Sequence, residues 1–419
     1  MNARAAIASL ALLLTAAGCD RRRDAGDPLG ARLARAVPEI EEATGLKFKT
    51  KPQLALRSRD EVRAFLLRKF DEDSPAEQLR GEEMASKAFG LIPDTLNLRR
   101  FLVDLLTEQI LGYYDPSTKQ LYVVRDAPED LVGITVAHEL VHALQDQYVN
   151  LDSIQRSRDD SDRQAAAQAV LEGQATWIQM KVALGGGDLA TRIPGGWEQV
   201  RQQIRENQGS MPRFATAPMA IQESLIFPYL SGAEFVRRFS SRGDTRSPLE
   251  HMPVSTEQIL SETAYFGTPP DLPTRVRLPG RAKAGEYEET MGEFGTRLFL
   301  YQHGRDNVAA VRAAAGWGGD RYRVFPSGRG VGVVWASVWD TSADAQEFIE
   351  TVGEAVTRRY RAGAPSIAAS GVRTYLGAGR TVVVTPPTRA GRPLVLFVDV
   401  PAGASIRPID PERITLEHQ

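Results

Sequence analysis

Five histidines occur among the 419 residues, and two of them, His138 and His142, stand four apart with Glu139 after the first. On a helix this spacing stacks both imidazoles on one face. The H-E-x-x-H arrangement then offers two nitrogens to a zinc ion and a carboxylate to a water beside it. The surrounding stretch, Ile134 to Tyr148, reads I-T-V-A-H-E-L-V-H-A-L-Q-D-Q-Y. Ile134, Val136, Ala137, Leu140, Val141 and Leu144 are apolar, while Gln145, Asp146 and Gln147 are polar near its end. That pattern predicts a helix that buries one side, with Pro128 and Asp130 near its start.

A catalytic zinc takes three protein ligands and keeps one position for water. The other histidines are His251, His303 and His418, and none follows His142 at the spacing of the longer three-histidine motif. A carboxylate on a second helix is the other common solution. Glu172 is the candidate, in the apolar run Val170-Leu171-Glu172-Gly173-Gln174-Ala175, where an unpaired carboxylate would be costly. Gly173 and Ala175 are small enough to let two helices approach closely. The expected site is one Zn2+ per chain, held by His138, His142 and Glu172, with Glu139 as the base. Asp146, four residues beyond His142, is expected to orient it. His251, Tyr265, Tyr301 and His303 are open alternatives for stabilising the oxyanion. Gln168, one turn before Glu172, carries no charge and has no assigned role.

Several elements must position these residues. Helices are expected at Leu29–Ala43, Glu61–Phe70, Pro75–Phe89 and Thr95–Leu111, with a strand within Leu46–Leu56. Gly112 to Val124 reads as a hairpin around Asp115–Lys119. Its Tyr122, Val123 and Val124 are the expected strand along the cleft, able to pair with an extended peptide. Further helices are expected at Asp160–Leu184, Trp197–Asn207, Met219–Phe239, Ser255–Phe266, Glu286–Tyr301, Arg305–Ala315 and Ser342–Arg359. Gly316 to Tyr322 reads as a glycine-rich turn without the spacing of a nucleotide loop. Thr381–Thr385 and Pro393–Val400 read as a terminal hairpin.

The first residues read as a targeting segment. Arg4 precedes a short apolar run, Ala5 to Ala17, and Ala16-Ala17-Gly18 leads into Cys19, the chain's one cysteine. A lone cysteine after small residues resembles a bacterial lipoprotein signal, which is cleaved before the lipidated cysteine. The expected divisions are therefore a signal peptide (1–18), a tether (19–28), a helical lead-in (29–94), a metallopeptidase domain (95–360) and an extended C-terminal segment (361–419). A lipid on Cys19 would attach the body to a membrane, in the extracytoplasmic cell envelope. One cysteine excludes an intrachain disulfide and a multi-cysteine zinc site. A net charge of −2 with 42% hydrophobic and 25% charged residues gives no footprint for nucleic acid.

The two histidines with a downstream glutamate resemble the gluzincin class of zinc metallopeptidases. Three wider strings, Glu108-Gln109-Ile110-Leu111-Gly112-Tyr113-Tyr114-Asp115-Pro116, Ala137 to Gln147 and Glu172-Gly173-Gln174-Ala175, are similar to a poorly characterised family of bacterial exported proteins regarded as metallopeptidases. Ser255-Thr256-Glu257-Gln258-Ile259-Leu260 and Gly316-Trp317-Gly318-Gly319-Asp320-Arg321 also look like that family, so the resemblance runs over roughly residues 95 to 350. In that family the first of these two segments continues with histidine and proline, where this chain has Ser261 and Glu262. If that histidine assists catalysis, this chain lacks the help or takes it from His251. The resemblance implies an α+β, mainly helical, zincin-like core with a small mixed sheet, acting on a peptide or protein substrate. A non-catalytic envelope binding or assembly lipoprotein on the same scaffold is the alternative. Oligomeric state is not legible.

Overall fold

The computed structural model describes residues 28–73, 76–151, 154, 160–185, 199–200, 202, 204, 211–243, 247–328, 330–388 and 392–417. Cys19, the targeting segment, His418 and most of the helix expected at 197–207 lie outside these residues. No helix among the described residues is long and apolar enough to cross a membrane.

The first half is helical around a small sheet. In order it runs α1 (Pro28–Thr44), β1 (Gln53–Arg57), α2 (Arg59–Asp73), α3 (Ala76–Ala88), α4 (Leu98–Gln109), β2 (Gly112–Asp115), β3 (Gln120–Val124) and α5 (Glu129–Gln145). Two long helices, α6 (Ser161–Ala183) and α7 (Met219–Ser241), complete it. Helix α5 starts without a side-chain cap, and Glu129 and Asp130 in its first turn offset the positive end of the helix dipole. From Thr135 to Gln145 every residue is buried, so α5 is a central helix rather than a one-sided surface one.

The sheet order is β1-β3-β2, with β1 parallel and β2 antiparallel to β3. Successive side chains alternate between faces. Tyr113, Tyr122 and Val124 join the core built by α2 and α4, whereas Tyr114, Leu121 and Val123 join the core around α5. Helices α6 and α7 touch backbone to backbone. A Cβ on Gly173 would lie 2.1 Å from the Gly232 carbonyl carbon, and one on Gly232 1.9 Å from Ala169 O. Only glycine at both positions permits that approach, which seats Glu172 at a tightly packed helix crossing.

The second half comprises α8 (Thr256–Leu260), α9 (Glu262–Phe266), β4 (Arg275–Arg277), β5 (Tyr287–Glu289), α10 (Gly292–Gly304), α11 (Asn307–Ala314), β6 (Trp317–Ser327), β7 (Gly330–Trp339), α12 (Ser342–Tyr360), β8 (Ser366–Ile367), β9 (Arg373–Gly377), β10 (Arg380–Val384), β11 (Leu394–Pro401) and β12 (Thr415–Glu417). Its seven-stranded sheet has the order β5-β6-β7-β11-β10-β9-β8, and every neighbouring pair is antiparallel. One face packs Trp335, Phe397 and Tyr322 against Phe299 and Phe348 from α10 and α12. The other buries Val334, Ala336, Val338 and Val398 with Val276 and Ile414.

Five expectations change. The chain is α+β with a small mixed sheet, but it also carries a large antiparallel one. Residues 361–419 are not a segment apart, because β11 inserts beside β7, so a boundary at 360 would cut a sheet. The glycine-rich stretch 316–322 is the start of a long strand rather than a turn. A bulge between Trp317 and Gly319 absorbs the irregularity, with Gly319 at φ +138° against Thr274. The helix expected at 255–266 is two, broken at Ser261, which caps the second. The helix expected from Glu286 starts at Gly292, because residues 287–289 pair as an edge strand.

Candidate metal centre

His138 and His142 project from α5 towards Glu172 on α6. Their Nε2 atoms lie 3.2 Å and 3.4 Å from one and the same oxygen, Glu172 Oε2. The rings meet edge to face, 4.9 Å apart at 74°. One ligand atom from each of the three residues falls within 4.8 Å of the others. Exposure is 3% for His138, 0% for His142 and 1% for Glu172.

Two amides aim the imidazoles. Gln145 Nε2 donates to Leu171 O at 3.0 Å and to Gln174 Oε1 at 2.9 Å, which turns its own Oε1 to His142 Nδ1 at 2.8 Å. Gln179 Oε1 lies 2.7 Å from His138 Nδ1. An oxygen at Nδ1 fixes the proton there, and the Nε2 lone pair is left facing the centre. Asp146 does not take this part. Its Oδ2 accepts from Tyr114 Oη at 2.7 Å and Lys119 Nζ at 2.6 Å, tying the β2–β3 hairpin to the end of α5. Neither glutamine is predicted from charge or periodicity. Gln145 stands three residues after His142 and Gln179 seven after Glu172, so helical spacing is the signal that could have found them.

The electrostatics match this arrangement. Burial pulls the His142 pKa down, but the Glu172 carboxylate, with help from Glu139 and Gln145, outweighs it and holds it up to about 9. Burial pushes Glu172 up, and the two histidines outweigh that and bring it down to about 2. Two imidazole nitrogens and a carboxylate oxygen, all out of water, converge on one point that calls for a proton or a cation. The donor set of two nitrogens and one oxygen, with both rings braced from behind, fits zinc.

Glu139 is fully buried beside this cluster. Its Cγ lies 3.7 Å from where a Cβ on Gly112 would stand, so β2 passes close over it, and a side chain there would also strike Thr135 at 2.6 Å. The strand expected to take substrate, Tyr122 to Val124, is the middle strand of its sheet. Both its edges are used, by β1 and β2. β1 and β2 are the two edges, each with one strand neighbour among the described residues, and β2 is the one that runs beside Glu139.

The four aromatic oxyanion alternatives engage other parts of the fold. Tyr265 Oη donates to the carbonyl of His251 at 2.5 Å, and His251 is exposed. Tyr301 packs on the core of the large sheet, and His303 Nε2 is bound to Phe89 O at 2.8 Å. Burial, and then Arg359, lower the His303 pKa to about 4, as expected for a neutral packed ring. The tyrosine that does reach the site is Tyr229 on α7, whose ring lies 6.0 Å from that of His138.

The glutamine brace gives a direct test. Gln145→Ala removes the oxygen at Nδ1 and frees the ring. It is expected to weaken zinc affinity by about 10- to 100-fold, measured by competition with a chromogenic chelator. Unchanged affinity would mean that the ring is held by packing alone.

Residues 278–397 match a family described as a domain of unknown function, DUF8575. That match covers most of the large-sheet half and lies wholly C-terminal to the histidines and Glu172. No curated protein matches the chain. Among solved structures, the chain is similar to a crystal structure described as a candidate hydrolase with a novel fold from Chloroflexus aurantiacus. The two share 18% identity at a TM-score of 0.32, over 60% of this chain and 92% of that one. Neither likeness gives this chain an activity.

Proposed function

We propose that this chain is a zinc-dependent peptidase of the cell envelope, anchored through a lipid on Cys19 and carrying one Zn2+ held by His138, His142 and Glu172. The observation that supports it most is the convergence of two Nε2 atoms on Glu172 Oε2 with Glu139 buried alongside. Zinc bound there would lower the pKa of a water and polarise a peptide carbonyl. Glu139 would take the proton from that water and return it to the departing amine. Gln145 and Gln179 would keep the imidazoles aimed throughout. A peptide lying extended along β2 would bring its carbonyl to Glu139, by the backbone pairing that builds sheets.

A second reading, a non-catalytic envelope lipoprotein with a structural zinc, is favoured by the depth of the site, with Glu139 and His142 fully out of solvent. Incubating the zinc-loaded and the chelated protein with a mixed peptide library separates the two. Cleavage that depends on added zinc supports the peptidase. One zinc per chain with no cleavage of any peptide supports the structural role.

A further inference from the structure

Away from the histidines, three carboxylates from three separate elements meet on one cavity of about 850 Å³. Glu257 comes from α8, Asp271 from the segment between α9 and β4, and Asp340 from the residue after β7. One oxygen from each falls within 4.8 Å of the others. Glu257 is 3% exposed, and its Oε2 is buried without a hydrogen-bond partner among the described residues. Glu293, Arg297 and Arg392 also line the cavity, and Arg297 is already paired with Glu293. With that pair set aside, three acids face one base, Arg392.

We propose that Glu257, Asp271 and Asp340 form a second cation site that binds a calcium-type divalent ion and ties the large sheet to helix α8. The donors are all carboxylate oxygens, which suit a hard cation and not zinc. Oxygens on opposite sides of calcium, each at about 2.4 Å, stand about 4.8 Å apart, and the cavity leaves room for the waters that complete its shell. Without a cation the acids repel one another. Burial, then Glu293, Asp340, Asp271 and Asp162, push Glu257 up to about 10, and burial, then Asp271, raise Asp340 to about 7.

The connections on either side give the ion something to hold. Helix α8 is fastened to the start of α6 by Thr256, whose N–H and hydroxyl both donate to Asp162. Asp271 is fixed by its N–H to Ala264 O at 2.8 Å and by Gln258 Nε2 to its carbonyl at 2.6 Å. Asp340 N donates to Gly316 O at 2.9 Å, which locks it to the β6–β7 ladder. Glu257 and Leu260 of the segment Ser255–Leu260 line this cavity, as does Gly316 at the head of β6.

The test titrates the full chain, with zinc already loaded, with calcium in equilibrium dialysis, and follows thermal melting in parallel. Expected are one calcium per chain, a higher melting temperature with calcium, and affinity reduced about tenfold or more in Asp271→Asn and Asp340→Asn as ligand charge falls. Glu257→Gln puts a neutral isostere in place of a carboxyl that stays protonated without the ion, so it is expected to fold about as stably in calcium-free buffer and to lose the calcium response. Absence of binding at millimolar calcium, which would leave a cluster that only holds protons, overturns the site. So does equal binding by the parent and Glu257→Gln. Neither outcome depends on zinc content or on peptide cleavage.

Discussion

Replacing Glu139 with glutamine is expected to lower kcat for peptide cleavage by about 10²- to 10⁴-fold while zinc stays bound at one per chain. The amide has the shape of the carboxylate, so the contact of this α5 side chain with β2 at Gly112 is kept. What goes is the ability to take a proton. The metal should stay bound though somewhat less tightly, because His138, His142 and Glu172 all remain while one of the two negative charges facing the ion is gone. Activity and metal content thus move in different ways, which a misfolded variant would not reproduce. Kinetics beside elemental analysis give both. A variant that cleaves at the parent rate would remove Glu139 as the base.

Glu172→Gln acts on the metal instead. Changing a group that only braces a ligand costs about 10- to 100-fold in affinity, so loss of a charged ligand is expected to exceed about 100-fold. The pH dependence carries a signature. His142 in the metal-free fold is held up to about 9, against about 6.5 for a free imidazole. Its contribution to stability is complete below about 6.5 and is lost as pH rises through about 9. Zinc needs the neutral ring, so its apparent affinity should rise across the same interval, with about one proton released on binding. In the variant the main charge supporting that proton is gone and burial remains, so the interval moves to lower pH. Calorimetry in buffers of different protonation enthalpy reads the proton count. Zinc held equally by both proteins would place the third ligand elsewhere.

The pair His138 and His142 was legible because helical geometry alone brings residues four apart together, and Glu172 because a carboxylate in an apolar run needs a partner. Gly173 was legible as a small residue, though not its contact with Gly232, which lies far along the chain. Gln145 and Gln179 were hidden because an amide has no charge to mark it, and its role depends on what packs behind. The misassignment of Tyr122–Val124 has a similar cause. A hairpin seen locally does not reveal that β1, whose Ala55 faces Tyr122, closes its far edge. The large sheet was underestimated because three glycines near Trp317 carry the signal of a turn, while the bulge that accommodates them exists only once Trp339 is its neighbour.

The choice of glutamine rather than a carboxylate behind each histidine bears on which ions the pocket admits. Two amides bring no net charge, so a doubly charged ion facing Glu172 and Glu139 would complete an electrically neutral set. Neutrality matters because the whole group lies in a low-dielectric interior, where leftover charge is expensive. A singly charged ion would leave the pocket negative and a triply charged one would leave it positive, each at a cost that size alone would not impose. Valence, more than radius, is the filter that two uncharged side chains set here, and an aspartate in either place would reset it.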